Sequence, residues 1–122
     1  MEYNKDLHCI ELCVKHIKKM RAVFDEFGIK TLEDFEGSET CQLAITQLVT
    51  NIHEPSKKIG DDLTAQMPLF SKQRKRIKVS RNISSHDYES VDWEIVYKLV
   101  CDLTKDEIIA ELEGVANELR ND

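Results

Sequence analysis

The chain has 122 residues, 41% hydrophobic and 33% charged, with only 4 Gly and 2 Pro and a formal net charge of −6. This length makes a single domain, 1–122, able to bury a core without disulfides or a metal. Scarce turn residues and no period-two alternation exclude an all-β chain. The charged start MEYNKDLHCIEL and the lack of any apolar run near the roughly 18 residues that span a bilayer exclude a signal peptide and a membrane segment, so a cytoplasmic protein is expected.

In chain order, the first predicted helix runs from about Asn4 to Phe27. Leu7, Ile10, Val14, Ile17, Phe24 and Phe27 recur at helical spacing, Met20 and Val23 widen the stripe, and Gly28 stands where a C-terminal cap belongs. IKTLEDFEGSE reads as a linker tucked onto the bundle by Phe35, with Ser38 as N-cap of a second helix. That helix carries Cys41, Ile45, Leu48, Val49, Ile52, Ile59 and Leu63 on one side. Pro55 removes an N–H and clashes with the preceding turn, so a kink or break is expected there, and Gly60 weakens the second half of the helix further.

AQMPLFSKQ is the next connection. A short basic helix, about Ser71 to Ser85, has Ile77, Val79 and Ile83 as its apolar anchors. Asp92 is the expected N-cap of a fourth helix that opens at Trp93 and continues through Ile95, Val96, Leu99, Val100 and Leu103. A last piece starts from Thr104 as N-cap, with Glu107 completing a capping box and Ile108, Leu112, Val115 and Leu119 forming its apolar face. The expected fold is all-α, an antiparallel bundle of four helices, or five if the last is divided. Cys9, Cys13, Cys41 and Cys101 contain no C-x-x-C and offer no ligand spacing for a metal, even with His8 and His16 nearby. They are expected to be buried free thiols packing as small hydrophobes, and no cofactor is implied.

Charge is uneven along the chain. Residues 71–81 carry six basic groups and no acid: Lys72, Arg74, Lys75, Arg76, Lys78 and Arg81. Such a block is ordinarily a solvated helix face. It can also hold phosphates by counterion release, with the acidic surroundings confining the anion to one place. Directly after the block, RNISSHDY sets Arg81, Asn82, His86 and Tyr88 within eight positions. On a continuous helix Arg81 and His86 diverge by about 140°. They converge either if the helix ends near Ser84 and Ser85, or across a two-fold axis between two copies. Histidine suits proton transfer near neutral pH, and arginine suits a phosphate bidentately as charge develops at phosphorus. Asn82 suits a phosphate or the imidazole, and Tyr88 suits stacking or hydrogen bonding at the edge of the site.

RNISSHDY is an R-x4-H-x-Y motif. With the helices around it, above all MPLF…KVSRNISSHDYESVDWEIVYKLVCDL…EIIAEL, the chain resembles the HEPN superfamily and specifically its HepT-like toxins. The resemblance implies a helical homodimer that cleaves RNA without a metal, with Arg81 and His86 as the catalytic pair of a dimer cleft, Asn82 in support, and Lys72, Arg74, Lys75, Arg76 and Lys78 as RNA contacts. It implies a partner, an MntA-type nucleotidyltransferase antitoxin, that transfers AMP onto Tyr88 and silences the toxin. Ser84 and Ser85 replace the family's apolar pair before the histidine, Glu89 stands where an aromatic is common, and His53-Glu54-Pro55 replaces Gly-Glu-Ala. A noncatalytic module that docks the nucleotidyltransferase, or a nucleotide, is the alternative reading. A third is a structural adaptor with Arg81 and His86 locked in internal salt bridges.

Overall fold

The computed structural model describes residues 4–86 and 91–121, with side chains through Asn82 and again from Val91. Among the described residues the secondary structure is helical throughout, in eight segments. Helix α1 (Lys5–Glu26) starts at Asn4, whose Oδ1 accepts the Leu7 N–H at 3.0 Å. It ends as the glycine predicted: Gly28 has φ 66°, and the N–H groups of Ile29 and Gly28 return to the Phe24 and Asp25 carbonyls at 2.9 and 3.2 Å. This double closure needs a left-handed residue, which glycine adopts without a Cβ clash.

The expected linker contains a helix of its own, α2 (Leu32–Glu36). Thr31 Oγ1 accepts from the Asp34 N–H at 3.1 Å while Asp34 Oδ2 accepts from the Thr31 N–H at 3.1 Å, a complete capping box. The Lys30 and Thr31 N–H groups hold the exposed Asp34 carboxyl below its usual range. Phe35 is fully buried as expected, edge-on to Trp93 at 5.7 Å between ring centres and tilted against Phe24 at 5.6 Å. One aromatic thus ties the linker to both α1 and the later helix that begins at Trp93.

Helix α3 (Glu39–Lys58) follows, with Ser38 at the N-cap position but no capping hydrogen bond to its side chain. The break expected at Pro55 is absent: α3 continues through it to Lys58. Proline deletes one N–H and crowds the turn before it, so other contacts have to hold the end of α3. Its ring is buried, Ser56 Oγ donates to the His53 carbonyl at 2.8 Å, and Glu54 reaches Lys57 and Lys58 at 3.3 and 3.8 Å across the same turn. The chain leaves the helix instead at Ile59 and Gly60, where the Gly60 N–H donates to Asp6 Oδ1 at 3.0 Å. Leu63 therefore sits on a separate turn, α4 (Asp61–Thr64), and a second turn, α5 (Pro68–Ser71), precedes the basic helix. A carboxylate from far along the chain caps α5: Glu111 accepts from the Leu69 and Phe70 N–H groups at 3.0 and 2.8 Å.

Helices α6 (Arg74–His86), α7 (Trp93–Leu103) and α8 (Asp106–Asn121) complete the fold. Asp92 caps α7 as predicted, accepting from the Glu94 N–H at 3.1 Å. Thr104 does not cap α8. It closes α7, with Oγ1 donating to the Val100 carbonyl at 2.7 Å, and its own carbonyl accepts from the Arg21 guanidinium. With the hydroxyl turned back into α7, the expected box with Glu107 does not form, and α8 starts two residues later. Val79, expected as an anchor of α6, is 41% exposed, and Ile95 on α7 is also exposed.

The long helices run antiparallel, as their end-to-end ties show. Asp6 at the start of α1 meets the end of α3. Arg21 near the end of α1 pairs with Asp106 at the start of α8, and Arg120 at the end of α8 pairs with Glu11. Ile10, Ile17, Met20, Ile45, Ile52, Leu99 and Leu112 are fully buried in one core. Three of the four thiols join them, and Cys101 is half-buried. Among the described residues no helix is long and apolar enough to cross a membrane.

Candidate functional site on the cationic side of α6

Helix α6 is polar almost throughout, so its packing has to be selective. Ile77 and Ser80 are fully buried against the bundle. Beside them Arg76 Nη1 lies 2.6 Å from Asp102 Oδ2 and 2.6 Å from Gln73 Oε1, pinning the start of α6 to the end of α7. Burial pushes the Asp102 carboxyl up, but hydrogen bonds and charge from Arg76 and Lys105 outweigh it, and the net direction is down. Arg76 is therefore committed to a fold contact. Lys72 lies apart from the helix, on a cavity of about 510 Å³ shared with Asp102, Lys105 and Glu107. The structure thus divides the six-residue basic run between two sides of α6.

The other side is more uniform. Arg74, Lys75 and Lys78 from α6 meet His53, Ser56 and Lys57 from the end of α3 around a cavity of about 360 Å³. Arg74 Nη2 donates to the Lys57 carbonyl at 3.1 Å, one of the carbonyls left over where α3 ends. A cation there also complements the helix dipole. Arg81 follows Arg74 and Lys78 at spacings of seven and three, hence on the same side of the helix. Its Nη1 donates to Asn82 Oδ1 at 3.1 Å. Arg81 and Asn82 are thus brought together, half-buried and exposed respectively, at the far end of the cationic row.

His53 joins this group although the sequence marks it only as a departure from the family's Gly-Glu-Ala turn. It is 9% exposed, and its Nδ1 is 4.0 Å from Glu54 Oε1. Burial first, then the Arg81 charge, push its imidazole below the ordinary histidine value, against a weaker pull upward from Glu54. Lys57 and His53 reach the site because α3 and α6 pack side by side. That juxtaposition joins residues distant in the chain and leaves no local pattern to find.

Helix α6 does not end at Ser84 or Ser85; it includes His86. Positions 81 and 86 are therefore about 140° apart around one axis, and an early helix end does not bring them together. The His86 side chain and Tyr88 lie outside the described residues. The family model for ribonuclease HepT-like proteins matches residues 10–113, which contain the whole basic run, both ends of the α3–α6 cavity and the R-x4-H-x-Y motif.

The protein belongs to the HepT-like ribonuclease family.

Neither the curated proteins nor the solved structures compared with it gave a match. The all-α HEPN-like bundle of this HepT-like chain thus rests on the helices themselves and on the family model.

Proposed function

We propose that this HepT-like protein is a metal-independent endoribonuclease, the toxin of a toxin–antitoxin pair, working as a cytoplasmic homodimer. The observation that carries this reading is the family match over residues 10–113, within which Arg81 continues a row of cations on an otherwise acidic chain. The unbroken course of α6 through His86 favours a cleft shared by two copies, since one copy sets the pair on diverging sides of its own helix.

In that cleft one His86 imidazole takes the proton from a ribose 2′-OH. The 2′ oxygen attacks the adjacent phosphorus, the bond to the 5′ oxygen breaks, and the departing oxygen receives a proton from the imidazolium of the other copy. The products are a 2′,3′-cyclic phosphate and a 5′-OH. Arg81 holds the non-bridging oxygens and stabilises the charge that grows on them, with Asn82 orienting the phosphate. Arg74, Lys75 and Lys78 carry the flanking strand. The partner is an MntA-type nucleotidyltransferase that transfers AMP to Tyr88. An adenylyl group two positions from His86 adds negative charge and bulk beside an anion-binding cleft, which accounts for silencing.

The test is RNA cleavage by purified, unmodified wild-type protein beside His86→Ala, in EDTA, on total tRNA and on an mRNA. Cleavage by wild type alone is the expected result. No cleavage by a folded wild-type dimer with unmodified Tyr88 would replace the nuclease with a docking module for the nucleotidyltransferase.

A further inference from the structure

The α3–α6 cavity has a feature that a merely solvated basic face lacks. Its lining mixes exposed lysines with a nearly buried imidazole, drawn from two different helices. The charges facing His53 are Glu54 and Lys57 from α3 and Arg74, Lys75, Lys78 and Arg81 from α6. Glu54 is already engaged by Lys57 and Lys58. Arg74 is accounted for by the Lys57 carbonyl. Lys75 and Lys78 are exposed and line the cavity. Several cations held around one concave space repel one another, and an anion in that space removes the cost.

We propose that this cavity is a phosphate-binding subsite in which His53, Lys57, Arg74 and Lys78 hold an RNA phosphodiester next to the one at Arg81, and that His53 takes up a proton from solvent when the phosphate enters. The identity of the strand rests on the ribonuclease reading; the anion site does not. An imidazole kept neutral by burial and by neighbouring cations is a poor phosphate ligand. The arriving anion reverses both influences, since an opposite charge at contact favours imidazolium and supplies its acceptor. Binding at the subsite is therefore stronger at lower pH, over the range in which the free imidazole is neutral.

The experiment tracks the His53 ring resonances through pH titrations in inorganic phosphate, in chloride at equal ionic strength, and with a 2′-O-methyl oligoribonucleotide that cannot be cleaved. His53→Gln supplies the assignment. Phosphate and the oligonucleotide are each expected to move the titration midpoint upward by about one pH unit relative to chloride, a tenfold preference of the anion for the protonated form. Lys78→Gln, an exposed change that leaves the core intact, is expected to diminish the movement. An identical midpoint in all three solutions overturns the subsite, as does a movement that Lys78→Gln leaves whole. A response to phosphate but not to the oligonucleotide overturns the assignment to an RNA strand. RNA cleavage by a protein whose His53 is unresponsive overturns the subsite and leaves the nuclease standing. A responsive His53 in a protein that does not cleave upholds the subsite and overturns the nuclease.

Discussion

Helix α3 packs against α1 on one side and α6 on another, and the two seams are built of different materials. Toward α1 the contact is dry: Ile10, Cys13, Ile17 and Met20 from α1 and Cys41, Ile45, Val49 and Ile52 from α3 are fully buried. Burial drives the Cys13 thiol far above its ordinary value and pushes the Cys41 thiol up to about 11, so both stay protonated and serve as packing. Toward α6, Ile77 and Ser80 of α6 and Ser56 of α3 are sealed among the described residues, and the rim is His53, Lys57, Arg74, Lys75 and Lys78. The first seam stabilises the bundle by removing apolar surface from water. The second gathers positive charge at a fixed place, which weakens the fold slightly and suits an anion. One helix thereby joins the apolar framework to the cationic side.

The contrast can be broken most forcefully in the dry seam. Ile52→Ala is expected to lower unfolding stability by about 2 to 5 kcal/mol, the range for a buried aliphatic truncation, read from urea midpoints. In the cationic seam the effect belongs to activity. Arg81→Ala is expected to cut RNA cleavage by about 100-fold or more, as for loss of a group that stabilises developing charge. Its thermal midpoint should match wild type, and a parallel loss of stability would show Arg81 to be a framework residue. If the cleft draws on the His86 of both copies, exchanging subunits between wild-type and His86→Ala protein is expected to lower cleavage by the share of wild-type chains drawn into mixed dimers, since a mixed dimer lacks one of the two imidazoles.

Asp102→Asn tests the pin that holds α6 in place. Both partners of the Arg76 ion pair are about one-third exposed, so the cost should be only about 1 kcal/mol. Cleavage should fall with it if the orientation of α6 matters. The smallest effect is on pH dependence. His53 and His16 are both held below their ordinary value, 6.5, chiefly by burial. The unfolded chain then binds more protons than the native one just below that value, so stability declines as pH falls through it. His53→Gln should flatten part of that decline between pH 7.5 and pH 5.5, as judged by urea midpoints about two pH units apart. An unchanged slope would show that His16 carries the effect.

Local chemistry is readable where a few neighbouring residues suffice. Asn4, Gly28 and Asp92 bound helices through bonds spanning at most five positions, and each does what its residue type predicts. Thr31 and Asp34 form a capping box with the same spacing rule, yet the stretch reads as a linker because a five-residue helix carries almost no periodic pattern. Pro55 and Thr104 go against expectation because neighbours intervene. Proline is tolerated in the last turn of α3, and Thr104 turns its hydroxyl toward α7 while its carbonyl meets Arg21. Val79 has an anchor's side chain but stands exposed among the described residues.

By itself the sequence determined the long helices, most of the residues that line the dry core, and the R-x4-H-x-Y motif with a cationic run before it, because periodicity and spacing are properties of consecutive residues. Only the tertiary structure decided which of those cations point together. It gave Arg76 to Asp102 and set Lys72 apart, and it joined Arg74, Lys75 and Lys78 to His53 and Lys57. That choice depends on how α3 and α6 lie against each other, and the packing angle of two helices is fixed by the whole core rather than by either strip of chain.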